Sequence, residues 1–138
     1  MTQRHRVDAQ ELRGALAAVA GWLDGGGCQP ARHELAQAVR LSLRALAQAA
    51  PGTTVEVRVP PFAAVQCVAG PLHTRGHTRG TPPHVVETDP RTWLELATGR
   101  VAWAVAIAEG RVAASGSRAD ISGWLPLART SAEPESGQ

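Results

Sequence analysis

Thr53-Thr54-Val55-Glu56-Val57-Arg58-Val59 alternates along its whole length, with Val55, Val57 and Val59 on one side and Thr54, Glu56 and Arg58 on the other. A period of two with one apolar side is the pattern of a half-buried strand. Pro60-Pro61 breaks it, and Phe62 to Val68 (Phe-Ala-Ala-Val-Gln-Cys-Val) reads as a second strand. Two strands joined by so short a break predict an antiparallel hairpin.

On the N-terminal side the period changes to that of helices. Asp8 stands as an N-cap with Glu11 at the third helical position, and Val7 and Leu12 occupy the staple positions. Leu12, Leu16, Val19 and Leu23 then follow at spacings of four and three, one apolar stripe that Gly25-Gly26-Gly27 ends. A second helix is predicted from Pro30, with Leu35, Val39, Leu43 and Leu46 inward and Pro51-Gly52 as its stop.

On the C-terminal side, residues 70–83 read as loop and contain a tandem repeat, His73-Thr74-Arg75-Gly76 followed by His77-Thr78-Arg79-Gly80. Val85-Val86-Glu87 is a third strand. Asp89-Pro90 opens a helix with a capping carboxylate and a proline at the first position, and Gly99 closes it. Val101 to Ala108 is ambiguous. Val101, Trp103, Val105 and Ile107 alternate as in a strand, yet the intervening alanines favour helix. Arg111 to Ser115 is the last strand, and Ala119 to Leu127 has room for a helical turn or two before a polar tail, Arg129 to Gln138. The order of elements predicts an α+β fold. Residues 1–128 read as a single domain, with 1–52 its helical part, 53–128 its α/β part and 129–138 the tail.

Composition narrows the function. The 138 residues include 43% hydrophobic and 19% charged side chains, enough apolar material for one core without metal or disulfide. There is no Lys, and 14 Arg against 12 Asp and Glu leave a net charge of only +2. The pI near 9.0 therefore reflects the lack of groups that titrate between His and Arg. Without a clustered basic stripe interleaved with aromatics, nucleic acid is disfavoured as a partner. Cys28 and Cys67 are too few for a disulfide framework or a thiolate zinc site. The charged N-terminus has no apolar leader run, so the expected location is cytoplasmic with both thiols reduced.

Several short stretches carry a family resemblance. Gly99-Arg100, the interval from Gly99 to Gly110, and Gly110-Arg111-Val112 ending at Gly116 resemble the C-terminal half of sterol carrier protein type-2-like domains. Val59-Pro60-Pro61, Val65-Gln66-Cys67, Thr81-Pro82-Pro83, Val85 to Pro90, Trp93-Leu94, Ala97 to Arg100 and Ala114 to Asp120 are similar to the actinobacterial branch of bacterial sterol carrier protein orthologues. The resemblance implies a five-stranded, mostly antiparallel sheet covered by helices, with an apolar cavity between them. It also implies that Val101 to Ala108 is helical. The second His-Thr-Arg-Gly departs from the single copy of related sequences, as expected of a surface loop that tolerates insertion.

Under that resemblance Val65, Trp93, Leu96, Trp103, Val105, Ile107 and Trp124 are the candidate lining of a cavity for an apolar ligand. Such pockets are mainly apolar with few polar groups. The competing interpretation of the same residues is an ordinary packed core. His73, His77 and His84 share one segment, but Gly76 breaks any helical ligand spacing, so metal is not expected. Arg75, Arg79, Arg100, Arg111 and Arg118 are a candidate patch for an anionic head group or a transient contact with an acidic membrane surface. The run from Ser115 to Asp120 reads as a turn, with Gly116 giving backbone freedom and Ser117 a candidate N-cap. No nucleophile, paired carboxylates or phosphate loop stands out, so neither catalysis nor a cofactor is expected. The expected function is non-catalytic binding or transfer of a fatty acyl, lipid or sterol-like ligand; the alternative is an accessory module that partners an enzyme without a ligand.

Overall fold

Asp8 starts the first helix as its position predicts. Its carboxylate accepts the Gln10 amide at 2.9 Å, and α1 runs from Ala9 to Leu23. The computed structural model describes residues 6–70 and 84–128. Leu12, Leu16, Val19 and Leu23, the four residues of the apolar stripe, are the buried residues of α1. The second helix, α2, spans Arg32–Ala49 and begins two residues later than Pro30 led us to expect. Glu34 is the reason. Its carboxylate reaches back to the Ala31 amide at 3.2 Å, and Ala31 holds extended backbone as the N-cap, leaving Pro30 outside.

Strands β1 (Val55–Val59) and β2 (Ala63–Cys67) form the antiparallel hairpin, pairing Val55 with Cys67 and Val59 with Ala63. Gly52 leads into it at φ 146°, and a Cβ placed there would stand 2.1 Å from the Val68 carbonyl oxygen. That carbonyl accepts the Thr54 amide at 3.0 Å, so the entry to β1 is clasped to the exit from β2. Strand β3 (His84–Thr88) lies parallel to β1 on its other side, and β4 (Val112–Ser115) lies antiparallel to β3.

The sheet order is β2-β1-β3-β4. Among the described residues this is a four-stranded mixed sheet, in place of the five strands that the resemblance implied. The residues observed in strands are those whose own patterning predicted strand. The predominance of antiparallel pairing holds, with β1–β3 the parallel pair.

Period-two burial splits the sheet into two faces. Val55, Val57, Val59, Cys67, Val86 and Val112 are buried. On the opposite face Arg58 joins Glu56 at 3.0 Å and reaches across to Glu87 at 3.8 Å, a solvated polar surface. Helix α3 (Pro90–Thr98) starts where Asp89 accepts the Thr92 amide at 3.0 Å, and Gly99 ends it in the left-handed conformation at φ 84°. Its Trp93, Leu94, Leu96 and Ala97 join the core. Between sheet and helices Val55, Val57, Trp93 and Leu94 are all at 0% exposure.

Helix α1 rests against α2 and α3, and two arginines of the α3 region fasten its end. Arg91 donates from Nη2 to the carbonyls of Trp22 and Leu23, both at 3.2 Å, and its guanidinium sits 4.6 Å from the Trp22 ring. Arg100 grips Asp24 with two donors at 2.6 and 3.0 Å. Glu95 receives Arg91 at 3.2 Å on one oxygen and Arg111 on the other.

Val101 to Ala108 resolves to a helix, α4, spanning Trp103–Ala108. Its alternation does not govern burial: Ala106 is the buried residue, while Val105 and Ile107 are 45% and 38% exposed. Residues 119–127 form a single 3-10 turn, Ser122–Trp124, whose N-cap is Ile121 rather than Ser117.

Candidate ligand cleft

The chain crosses itself once more near its described end. The amides of Leu127 and Ala128 both donate to the Ala97 carbonyl, at 2.8 and 3.2 Å, drawing the C-terminal segment back over α3. Between that segment, the end of α3 and the start of α4 lies a cleft of about 480 Å³. Leu96 and Gly99 come from α3 and its cap, Val101 to Ala104 from the approach to α4, and Asp120, Ser122, Leu125 and Pro126 from the C-terminal segment. Its volume falls within the range of small-molecule pockets.

Three local features build it. Gly99 turns the chain sharply, so Val101 and Ala102 pass beside Leu96. Ala102 and Ala104 add no bulk where a larger side chain would close the opening. Pro126 and Leu125 supply the facing wall.

Asp120 is the one ionisable lining residue. Hydrogen bonds from Ser122 hold its carboxyl below the ordinary value against the opposing effect of burial, and the Ser122 amide donates to it at 2.9 Å. The cleft is therefore lined mainly by apolar residues, with Ser122 and the carboxylate of Asp120 as its polar side chains.

Of the seven residues expected to line a ligand site, Leu96 and Trp103 meet here. Trp124 is half-buried in the adjoining 3-10 turn. Trp93 is core: it is fully buried, and its indole N–H donates to Ser42 Oγ at 2.8 Å. Val105 and Ile107 face out from α4. Val65 is half-buried on β2, the opposite sheet edge from β4, which α4 contacts. Three strand spacings separate those edges, about 14 Å.

Of the arginines expected to form a patch, the structure describes Arg100, Arg111 and Arg118. Arg100 is engaged by Asp24 and Arg111 by Glu95 and Glu109, while Arg75 and Arg79 lie outside the described residues. His73 and His77 lie outside them too, and His84 Nδ1 accepts the Arg118 amide at 3.1 Å.

The bacterial SCP ortholog family matches residues 31–127, well over half of the chain. The chain belongs to this sterol carrier protein-like family. No curated protein matches it. The family places the protein among domains associated with apolar ligands, and the matched segment contains every element that forms the cleft. No helix among the described residues is long and apolar enough to cross a membrane.

The lining residues that sequence reasoning missed are Gly99, Val101, Ala102, Ala104, Asp120, Ser122, Leu125 and Pro126. Ala102 and Ala104 contribute by being small, which no apolar pattern signals. Leu125 and Pro126 act through the return of the chain over Ala97, a backbone contact without a sequence signature.

Proposed function

We propose that the protein binds and releases an apolar ligand in the cleft between α3, α4 and the C-terminal segment, holding it without chemical change. The observation that carries this reading is a cleft of about 480 Å³ whose apolar lining includes Leu96, Val101, Trp103 and Leu125. Burying apolar surface there gains about 25 cal/mol per Å², so a few methylenes account for several kcal/mol without any catalytic group.

The ligand's head group is constrained by Asp120. Asp120 is exposed at the edge of the cleft and puts one negative charge beside it, which disfavours a second carboxylate there. The ligand class is thus a lipid with a neutral head, such as a sterol, a fatty alcohol or an ester, in preference to a free fatty acid.

Titration with the fluorescent sterol dehydroergosterol and, separately, with cis-parinaric acid at neutral pH tests this. The sterol should saturate and draw energy from Trp103, and Trp103→Phe should reduce that transfer. Ala104→Trp should block uptake yet fold, because Ala104 is exposed. Asp120→Asn should raise affinity for the acid. Absence of saturable sterol binding in the folded protein would sink the carrier reading. A ligand-free accessory module would then stand, and the exposed Val105 and Ile107 of α4 are what favours it.

A further inference from the structure

Helix α2 is buried on most sides, and the narrow strip left in water is basic. His33, Gln37, Arg40 and Arg44 follow at spacings of four, three and four, all exposed, with Arg32 beside them. Two depressions run along this strip and share Arg40. One, about 460 Å³, lies between the start of α2 and the β1–β2 turn, where Arg32 sits 5.2 Å over the Phe62 ring. The other, about 470 Å³, lies between α2 and the start of α1 and is bordered by Arg6, Arg44 and Glu11.

The charges are segregated. Among the described residues Arg58, Arg91, Arg100 and Arg111 make the ion pairs, all of them away from this strip. Arg6, Arg32, Arg40 and Arg44 make none within the same set. Glu11 is the one carboxylate on the groove, and Glu34 is turned to the Ala31 amide.

We propose that this groove is a docking surface for an acidic segment of a partner protein. From Arg32 to Arg44 the strip extends about 18 Å at 1.5 Å per residue, the length of three helical turns of a partner. Guanidinium groups pair carboxylates with two parallel hydrogen bonds, which a partner carrying Asp or Glu at helical spacing can satisfy in a row. A lipid surface fits less well. Membrane attachment needs an apolar anchor beside the charge, and the exposed large hydrophobics of the described residues, Val105 and Ile107, are both on α4. Single-stranded nucleic acid calls for stacking platforms, and the aromatic ring here is already covered by Arg32.

The test is fluorescence anisotropy of a labelled helical peptide with Glu at every third and fourth position, at low and at physiological salt. The full chain should bind it, and more weakly as salt rises. Arg40→Glu with Arg44→Glu should weaken binding about tenfold or more, and the pair Arg40→Gln with Arg44→Gln by a smaller factor. Arg13→Glu with Arg118→Glu, which changes net charge equally off the groove, should weaken it about twofold or less. The thermal midpoint of each variant checks folding. The proposal is overturned if no peptide binds, if both reversal pairs act equally, or if phosphatidylglycerol vesicles or single-stranded DNA outcompete the peptide at the groove.

Discussion

The indole N–H of Trp93 donates to Oγ of Ser42 across 2.8 Å, a side-chain bond that joins α3 to α2 inside the core. Ser42 in turn donates to the Ala38 carbonyl at 2.6 Å, so both fully buried groups are satisfied. Ser42→Ala removes one partner and leaves the Trp93 N–H buried and unpaired, at a cost of about 1–3 kcal/mol. Urea denaturation measures it, and the double variant with Trp93→Phe should cost less than the two single changes added together. Strict additivity would mean the bond carries no coupling.

Gly52 is a second point of high sensitivity. A left-handed φ alone costs a side-chain-bearing residue about 1–3 kcal/mol, and here a Cβ also meets the Val68 carbonyl at 2.1 Å. Gly52→Ala should lower the thermal midpoint, whereas Gly14→Ala, inside α1 where a Cβ meets nothing within 4 Å, should leave it unchanged or raise it.

The Arg100–Asp24 bridge makes stability depend on acid pH. The hydrogen bonds from Arg100 hold the Asp24 carboxyl below its ordinary value of 3.8. A depressed folded pKa contributes stability that is present above that value and lost as pH falls below it. Asp24→Asn should therefore flatten the acid limb of a plot of midpoint against pH and leave its shape near neutrality unchanged. Asp120, lowered in the same direction by Ser122, keeps part of the slope in that variant.

The two thiols should differ in reactivity. Burial pushes the Cys67 thiol up to about 11, whereas Cys28 is exposed in the loop after α1. Since the thiolate is the nucleophile, iodoacetamide at pH 8 should label Cys28 in the native protein. Cys67 should react when urea unfolds the chain. Equal rates under native conditions would contradict the buried position of Cys67 on β2.

Local chemistry was legible wherever one residue decides an element. Asp8 and Asp89 begin their helices as carboxylate caps do, and the valines of β1 alternate as a one-sided sheet requires. The start of α2 moved because Glu34 competes with Pro30 for the role of marker. In α4 the period failed because a helix that buries only Ala106 leaves its larger side chains no face to prefer. The same logic explains the site. Trp93 and Trp103 look alike in sequence, yet one finds Ser42 in the core and the other borders an opening made by two alanines. The basic strip of α2 was legible in principle, as the complement of the apolar stripe at 35, 39, 43 and 46. Its isolation from every carboxylate but Glu11 is a tertiary property.

The way α1 is fastened has a consequence for what counts as a unit. The family match begins at residue 31, after α1 has ended at Leu23. Yet Arg91 and Arg100, both inside the match, direct their donors at Trp22, Leu23 and Asp24, and the leucines of α1 share one core with the strands. The packed unit is thus longer than the matched segment. The family match starts after the loop that ends α1, while the shared core and the Arg100–Asp24 bridge run straight across that border.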